Sequence, residues 1–367
     1  MKKILYIGGF EMPDRNAAAH RVRILSKVFR DLGYEVVFYG IKRDASSPDF
    51  VDGSHNYSKS YPDGIKSWMS YALGGGIRDV IMYHKPDIVV AYNYPGIASL
   101  RLISLCKRKG IIVYGDITEW YDSTSIIKKL DVFIRMRIAN KKLDGIVSIS
   151  KLLDNYYRKY NSILVPPLVD VSDDKWKQRG GTYSEDDINI VYAGSPGGKG
   201  NLKDRLDLVL SAFASVGNKK MIMRIVGMTE EEYGQSFKST IPDSIRVCFL
   251  GRLPHTETLS VLLQSDFQVF FRERSRANMA GFPTKLVESI TCRVPVVTND
   301  VSNVSDYVID GYNGIIASDF SNESVINVFK RISIMSRQEI NQMKANCQCD
   351  TFDYHSFIDV FKKFLNN

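Results

Sequence analysis

The sequence predicts an α/β protein made of two successive doubly wound units. Three features carry this reading. The chain has 367 residues, more than one hydrophobic core usually organises. Short β-branched or aromatic runs alternate with amphipathic stretches, which is the pattern of a parallel sheet covered on both faces. The alternation stops once, in a stretch rich in Pro, Gly and mixed charge, and then restarts.

In chain order, strand-length runs fall at Ile4–Ile7, Val36–Tyr39, Ile88–Tyr92, Ile111–Tyr114, Ile146–Ile149 and Ile163–Val165. Helical patterns such as Ala17–Leu32 and Ile97–Lys109 lie between them, and most end at a Gly or Pro that opens the next strand. This places a first domain at residues 1–166 and a connection at 167–187, PLVDVSDDKWKQRGGTYSEDD. A second domain follows at 188–351, with strands at Ile188–Ala193, Ile222–Val226, Val247–Leu250, Phe267–Phe271, Val294–Val297 and Gly314–Ile316. The tail, 352–367, puts Phe357, Val360, Phe361 and Phe364 on one helical face and is expected to pack back on the first domain. Two such units imply a cleft where strand C-termini and helix N-termini face a ligand.

Composition narrows the function. A hydrophobic share of 44% with 25% charged residues belongs to a globular chain rather than a disordered one. MKKILYIGGFEMP is interrupted by Gly, Gly and Glu too early for a signal peptide, and no run approaches the roughly 20 apolar residues of a membrane span, so a cytoplasmic protein is expected. Cys106, Cys248, Cys292, Cys347 and Cys349 form no disulfide framework, and the five histidines make no paired motif. No metal site is expected. The net charge of +8 suits anionic partners, but the chain carries no recognised nucleic-acid module.

Three segments of the second half carry chemistry. In Ala280–Asn299, AGFPTKLVESITCRVPVVTN, a Gly-Phe-Pro turn opens a short helix bearing Lys285 and Glu288. A helix N-terminus presents unpaired N–H groups to an anion, and Lys285 adds charge in the first turn, while Glu288 can accept hydrogen bonds from sugar hydroxyls. A solvent-facing lysine and a salt-bridged glutamate would leave the same pattern. In Val191–Lys203, VYAGSPGGKGNLK, a strand runs into a Gly-rich loop with Lys199-Gly200 before a helix, a device that brings backbone donors to phosphate. The third segment, Phe249–Phe271, holds Arg252 in a loop after a strand, either against a donor or simply on the surface.

In the first half, Gly8-Gly9 follows the first strand and Asn16–Arg21 opens the first helix; there is no GxGxxG. Asp116 and Glu119, in YGDITEWY, follow a strand and are placed to orient or deprotonate an acceptor hydroxyl, with Trp120 as a stacking platform. Equally, Asp116 caps a turn and Trp120 packs in the core.

These motifs, in this order, resemble glycosyltransferase family 4, the retaining group 1 enzymes of bacterial polysaccharide synthesis. GFPTKLVES followed by VPVV looks like the variant of capsule and exopolysaccharide transferases. The resemblance implies the GT-B fold, two Rossmann-like domains facing a central cleft. It implies that Glu288 holds the nucleotide ribose, while Gly281, Phe282, Thr284, Lys285 and Leu286 present backbone donors and charge to the diphosphate and sugar. Lys199 matches the lysine of the family's GR–loop–KG element, and Gly9 lies where donor phosphate or acceptor approaches. Two positions depart from the pattern. Ser195 stands for the arginine, so Arg252 or Arg272 is expected to share its task, and Ala280 stands for a glutamate, leaving Glu273 or Asn278 to meet the donor sugar.

The expected reaction is sugar transfer from a nucleotide-diphosphate sugar, with UDP favoured on family frequency, to a hydroxyl of a growing glycan. Retention follows from the resemblance. Lys199, Lys285 and a helix N-terminus would stabilise the leaving group without a metal. Asn16, Arg21, Asp116, Glu119 and Trp120 would meet the acceptor. A nucleotide-sugar epimerase or a non-catalytic binding subunit of the same fold are the alternatives. Family acceptors are often lipid-linked, and Ile126–Leu143 can align Ile126, Leu130, Phe133, Ile134 and Ile138 beside Lys128, Lys129, Arg135, Lys141 and Lys142. That pattern fits either peripheral docking on an anionic membrane or a helix laid on the sheet.

Overall fold

The computed structural model describes residues 1–44, 47–177, 180–181, 183–198, 201–242 and 245–366. It divides into two compact units, one of Met1–Asp170, Met279–Phe282 and Asp353–Asn367, the other of Val171–Asn278 and Pro283–Phe352.

The first unit is built on eight strands: β1 (Lys3–Gly8), β2 (Glu35–Lys42), β3 (Phe50–Val51), β4 (Ser54–Ser60), β5 (Ile88–Tyr92), β6 (Ile112–Ile117), β7 (Gly145–Ser148) and β8 (Ser162–Leu164). Their order is β3-β4-β2-β1-β5-β6-β7-β8, parallel except for the β3–β4 pair. The helices are α1 (Ala17–Asp31), α2 (Ile65–Ala72), α3 (Ile77–His84), α4 (Gly96–Lys107), α5 (Ile126–Ile134) and α6 (Lys151–Tyr157). The β3–β4 hairpin escapes the sequence reading because SHNYSKS at a sheet edge lacks the apolar run of a strand buried on both faces. One core layer joins the α1 face, Val22, Leu25 and Phe29, to Tyr6, Phe38, Phe361 and Phe364. Phe29 and Phe361 meet edge to face at 5.4 Å, so the tail packs into this unit.

The second unit holds β9 (Ile188–Ala193), a short antiparallel hairpin of β10 (Gly197–Gly198) and β11 (Asn201–Leu202), then β12 (Met221–Val226), β13 (Arg246–Gly251), β14 (Phe267–Val269), β15 (Val296–Asn299) and β16 (Gly314–Ala317). Its parallel sheet runs β13-β12-β9-β14-β15-β16. The helices that matter below are α7 (Leu206–Val216), α8 (Glu230–Phe237), α9 (His255–Leu263), α10 (Arg276–Ala280) and α11 (Thr284–Thr291). Continuous burial along β9 and β15 is what helices on both faces produce.

Two helices differ from expectation. The pattern at Ile126–Leu143 is broken into α5, a π-turn at Arg135–Ala139 and a 3-10 turn at Asn140–Lys142. The first helix after the Gly-rich loop opens at Leu206, beyond the β10–β11 hairpin. Lys199 itself lies outside the described residues. Among the described residues no helix is long and apolar enough to cross a membrane.

Candidate functional site

In an open parallel sheet, ligands gather beyond the strand C-termini where the strand order reverses. In the second unit that point lies between β9 and β14. Gly194 follows β9, and Arg272, three residues after β14, reaches Asp204, which lies two residues before α7. Arg272 Nε donates to Asp204 Oδ1 at 2.5 Å. Lys285 Nζ, from the first turn of α11, donates to Asp204 Oδ2 at 2.8 Å, and Tyr192 OH donates to the same oxygen at 2.8 Å. All four residues are buried.

The backbone holds this cluster from several directions. Asp204 N donates to Pro196 O at 3.2 Å and Arg205 N to Phe271 O at 2.8 Å. Asn299, at the end of β15, clamps the Arg272 backbone by accepting from its N–H at 3.0 Å and donating to its carbonyl at 2.8 Å. Gly194 has φ of 121°, a region open to glycine, and a Cβ there would stand 2.8 Å from Lys285 Nζ. The ammonium thus lies directly under the start of the Gly-rich loop. Burial pushes the Asp204 carboxyl up, but the charges of Lys285 and Arg272 outweigh it and hold the group well below the usual carboxylate range. Burial, with the Asp204 charge, raises the Tyr192 phenol well above its usual value. Chemically, the cluster is a buried pair of cations sharing one carboxylate beside a loop of exposed backbone.

The remaining donor residues named from sequence are placed as follows. Ser195 and Thr284 are exposed, and Gly281 is half-buried. Phe282 and Leu286 are buried, so Leu286 can offer only its backbone. Arg252 is exposed and bonds Glu232 Oε1 at 2.7 Å in the first turn of α8. Glu288 Oε1 lies 3.1 Å from His255 Nε2, at the start of α9. Glu273 accepts from Arg205 Nη1 at 3.2 Å, while Asn278 Nδ2 donates to the Glu273 carbonyl at 2.9 Å. Met279–Phe282 group with the first unit, where the Ala280 carbonyl accepts from Ser150 Oγ at 2.7 Å.

In the first unit the order reverses between β1 and β5, and half-buried Gly9 lies just beyond β1. Three of the residues expected to meet the acceptor, Arg21, Asp116 and Trp120, are buried. Asp116 is 0% exposed: Tyr6 OH donates to Oδ2 at 2.6 Å, Arg21 Nε donates to Oδ1 at 2.9 Å, and Arg21 Nη2 lies 2.8 Å from Oδ1. Arg21 Nη1 bonds the carbonyls of Val165 and Pro166, each at 3.1 Å. The pair is internal structure, and neither member is presented to an acceptor. Asn16 caps α1, accepting from Ala19 N at 2.8 Å. Trp120 is buried and meets Tyr156 edge-on at 4.6 Å, so its face is no open platform. Glu119, like Asn16, is half-buried.

Sequence reasoning missed Asp204, Tyr192, His255 and Arg135. The first three are ordinary in sequence, and only folding brings them to the cations or to Glu288. Arg135 lies in the π-turn, 3% exposed, and bonds the Asn93 carbonyl at 3.3 Å through Nη1, while Nε and Nη2 find no partner among the described residues. Burial lowers its pKa from the usual arginine value.

Comparison with known proteins bears on this arrangement. Residues 183–346 match the family model described as glycosyl transferases group 1. A search of curated proteins finds no match. Among solved structures, sucrose-phosphate synthase from Thermosynechococcus elongatus superposes with a TM-score of 0.74 at 14% identity, covering 100% of this chain and 98% of that one. HepE from Anabaena, in complex with UDP and glucose, gives 0.72 at 14% identity with 100% of both chains covered. TarM from S. aureus, as a variant in complex with fondaparinux, alpha-GlcNAc-glycerol and UDP, gives 0.73 at 11% identity, again over 100% of both chains. The fold is therefore the two-domain Rossmann-like architecture of the GT-B glycosyltransferases. The second unit carries a glycosyl transferases group 1 domain, and the chain is an enzyme of the glycosyltransferase class.

Proposed function

We propose that this enzyme is a retaining, family 4-like transferase that moves a sugar from a UDP-sugar to a hydroxyl of a growing bacterial capsular or exopolysaccharide glycan. The observation that carries the donor assignment is the pair Lys285 and Arg272, buried together at the switch point of the second sheet beneath Gly194. When a nucleotide diphosphate leaves an anomeric carbon, negative charge grows on the phosphate oxygens, and two pre-placed cations stabilise that charge more than the ground state. In this reading they do so without a metal, aided by the N-terminus of α11, whose cap residue Pro283 makes no side-chain hydrogen bond. Glu288, steadied by His255, accepts from the ribose hydroxyls. Ser195 is exposed at the start of the loop, and Lys199, outside the described residues, is the further cation of this reading. The complexes of HepE with UDP and glucose and of TarM with UDP support a uridine donor.

The first unit reads the acceptor, with Glu119 as the group that orients its hydroxyl. A lipid-linked acceptor is supported by the exposed face of α5, where Ile126 and Ile127 are each 81% exposed and Leu130 and Phe133 stand beside them, flanked by Lys128 and Lys129. None of the α5 side chains is buried, so the helix does not lay its apolar face on the sheet, and an interfacial helix is what such a face resembles. Docking is on the cytoplasmic, anionic membrane surface.

A thermal-shift screen of the purified protein against UDP-, GDP-, ADP- and TDP-sugars tests the donor. A ligand at 100 times its Kd adds about 2.7 kcal/mol. Stabilisation by the UDP-sugars alone is expected; stabilisation by none of the four would overturn the assignment.

A further inference from the structure

Building on that donor site, we propose that Asp204 is a positioning residue, a resident anion that holds Lys285 and Arg272 as a preassembled clamp for the donor diphosphate and yields them to it. The contacts are specific to such a role. Its two oxygens take one ammonium, one guanidinium and one phenol at 2.5–2.8 Å. Among the described residues Arg272 bonds through its side chain only by Nε, the edge of the fork nearest its stem, which leaves Nη1 and Nη2 for a second oxyanion. Lys285 donates once among the described residues and has two further N–H bonds to give.

The elements that carry these groups all end at the same place. Tyr192 is on β9, Asp204 lies two residues before α7, Arg272 follows β14 and Lys285 is in the first turn of α11. A purely structural ion pair has no reason to gather at the switch point, under a glycine whose φ strains any side chain and where a Cβ would displace Nζ. Without Asp204 two like charges would stand together away from water, repelling each other and drifting toward solvent. With it, each is fixed at the distance where phosphate oxygens arrive, and the diphosphate needs only to outcompete one carboxylate.

The roles of the carboxylate make opposite predictions for binding and turnover. Asp204→Asn keeps the shape and the Oδ1 acceptor but removes the charge that competes with phosphate. Calorimetry with inorganic pyrophosphate is expected to show binding tighter than the parent by roughly threefold or more. Turnover of UDP-glucose, read as sugar released or transferred, is expected to fall roughly tenfold with no rise in donor KM. A merely structural Asp204 would lower Tm and leave pyrophosphate affinity and kcat unchanged below the transition, and that result would overturn the proposal. Should Asp204→Asn fail to fold, Tyr192→Phe reads the same device. Loss of the phenol leaves the carboxylate holding Lys285 more tightly, so pyrophosphate should bind more weakly than to the parent; equal or tighter binding would overturn the clamp. Lys285→Met separates this inference from the donor assignment. If it binds pyrophosphate as the parent does, the donor site is elsewhere and both fall. If it loses pyrophosphate while the folded Asp204 and Tyr192 variants match the parent, the donor site stands and the role of Asp204 is refuted.

Discussion

Replacing Asp116 by Asn discriminates between the two roles that its sequence context allows. The carboxylate is fully buried and shared between Arg21 and Tyr6, and Arg21 is 5% exposed, so the substitution strands a guanidinium whose only other partners among the described residues are two backbone carbonyls. Breaking a buried ion pair from one side costs about 3–5 kcal/mol, because the remaining charge keeps its desolvation penalty. For a unit of this size, about 2–4 °C of Tm is lost per kcal/mol, which gives a fall of roughly 6–20 °C. Differential scanning calorimetry of parent and variant reads this directly. The cycle with Arg21→Met should show coupling of about 0.5–3 kcal/mol, with the double variant losing less than the two single losses combined. A variant that keeps the parental Tm within about 2 °C while its transfer rate collapses would refute the reasoning, and would return Asp116 to the acceptor.

Further outcomes follow from the second unit and from α5. Gly194→Ala forces a Cβ to 2.8 Å from Lys285 Nζ at a φ of 121°, so UDP affinity by calorimetry should fall by about 1.5–3 kcal/mol, roughly 10- to 150-fold, as the lysine is displaced; unchanged affinity would mean that Lys285 does not reach the phosphates. Because the folded-state pKa of Asp204 is depressed, its stabilisation is complete above the unfolded value of about 3.9 and is lost only as pH falls through the folded pKa. The Tm gap between parent and Asp204→Asn should therefore stay constant from neutral pH to about 4 and narrow below it; a gap that closes between pH 7 and 5 contradicts the assignment of that charge. Flotation with anionic vesicles at low salt should exceed that with neutral vesicles and be lost in Ile127→Glu/Phe133→Glu, and equal flotation on both would end the docking idea.

Much of the architecture is written in local pattern. Fully buried parallel strands such as β9 and β15 read as continuous apolar runs, and helices such as α1 as periodic ones, because burial on both faces or on one stripe leaves that imprint whatever the rest of the chain does. The β3–β4 hairpin leaves no such imprint, since an edge strand can be polar. Lys285 and Glu288 were legible too, being one turn apart beside a Gly-Phe-Pro turn. Their surroundings were not. Asp116 reads as a base after a strand, yet its charge is consumed by Arg21, 95 residues away. Asp204 reads as one acid among many, yet it meets Arg272 and Lys285 across separations of 68 and 81 residues. Sequence alone determined most of the strands and helices and the residue types that suit an anionic ligand. Tertiary structure decided which charges are already paired with one another, because a charge in a protein takes its meaning from partners within a few ångströms, and those partners arrive from strands far apart in the chain.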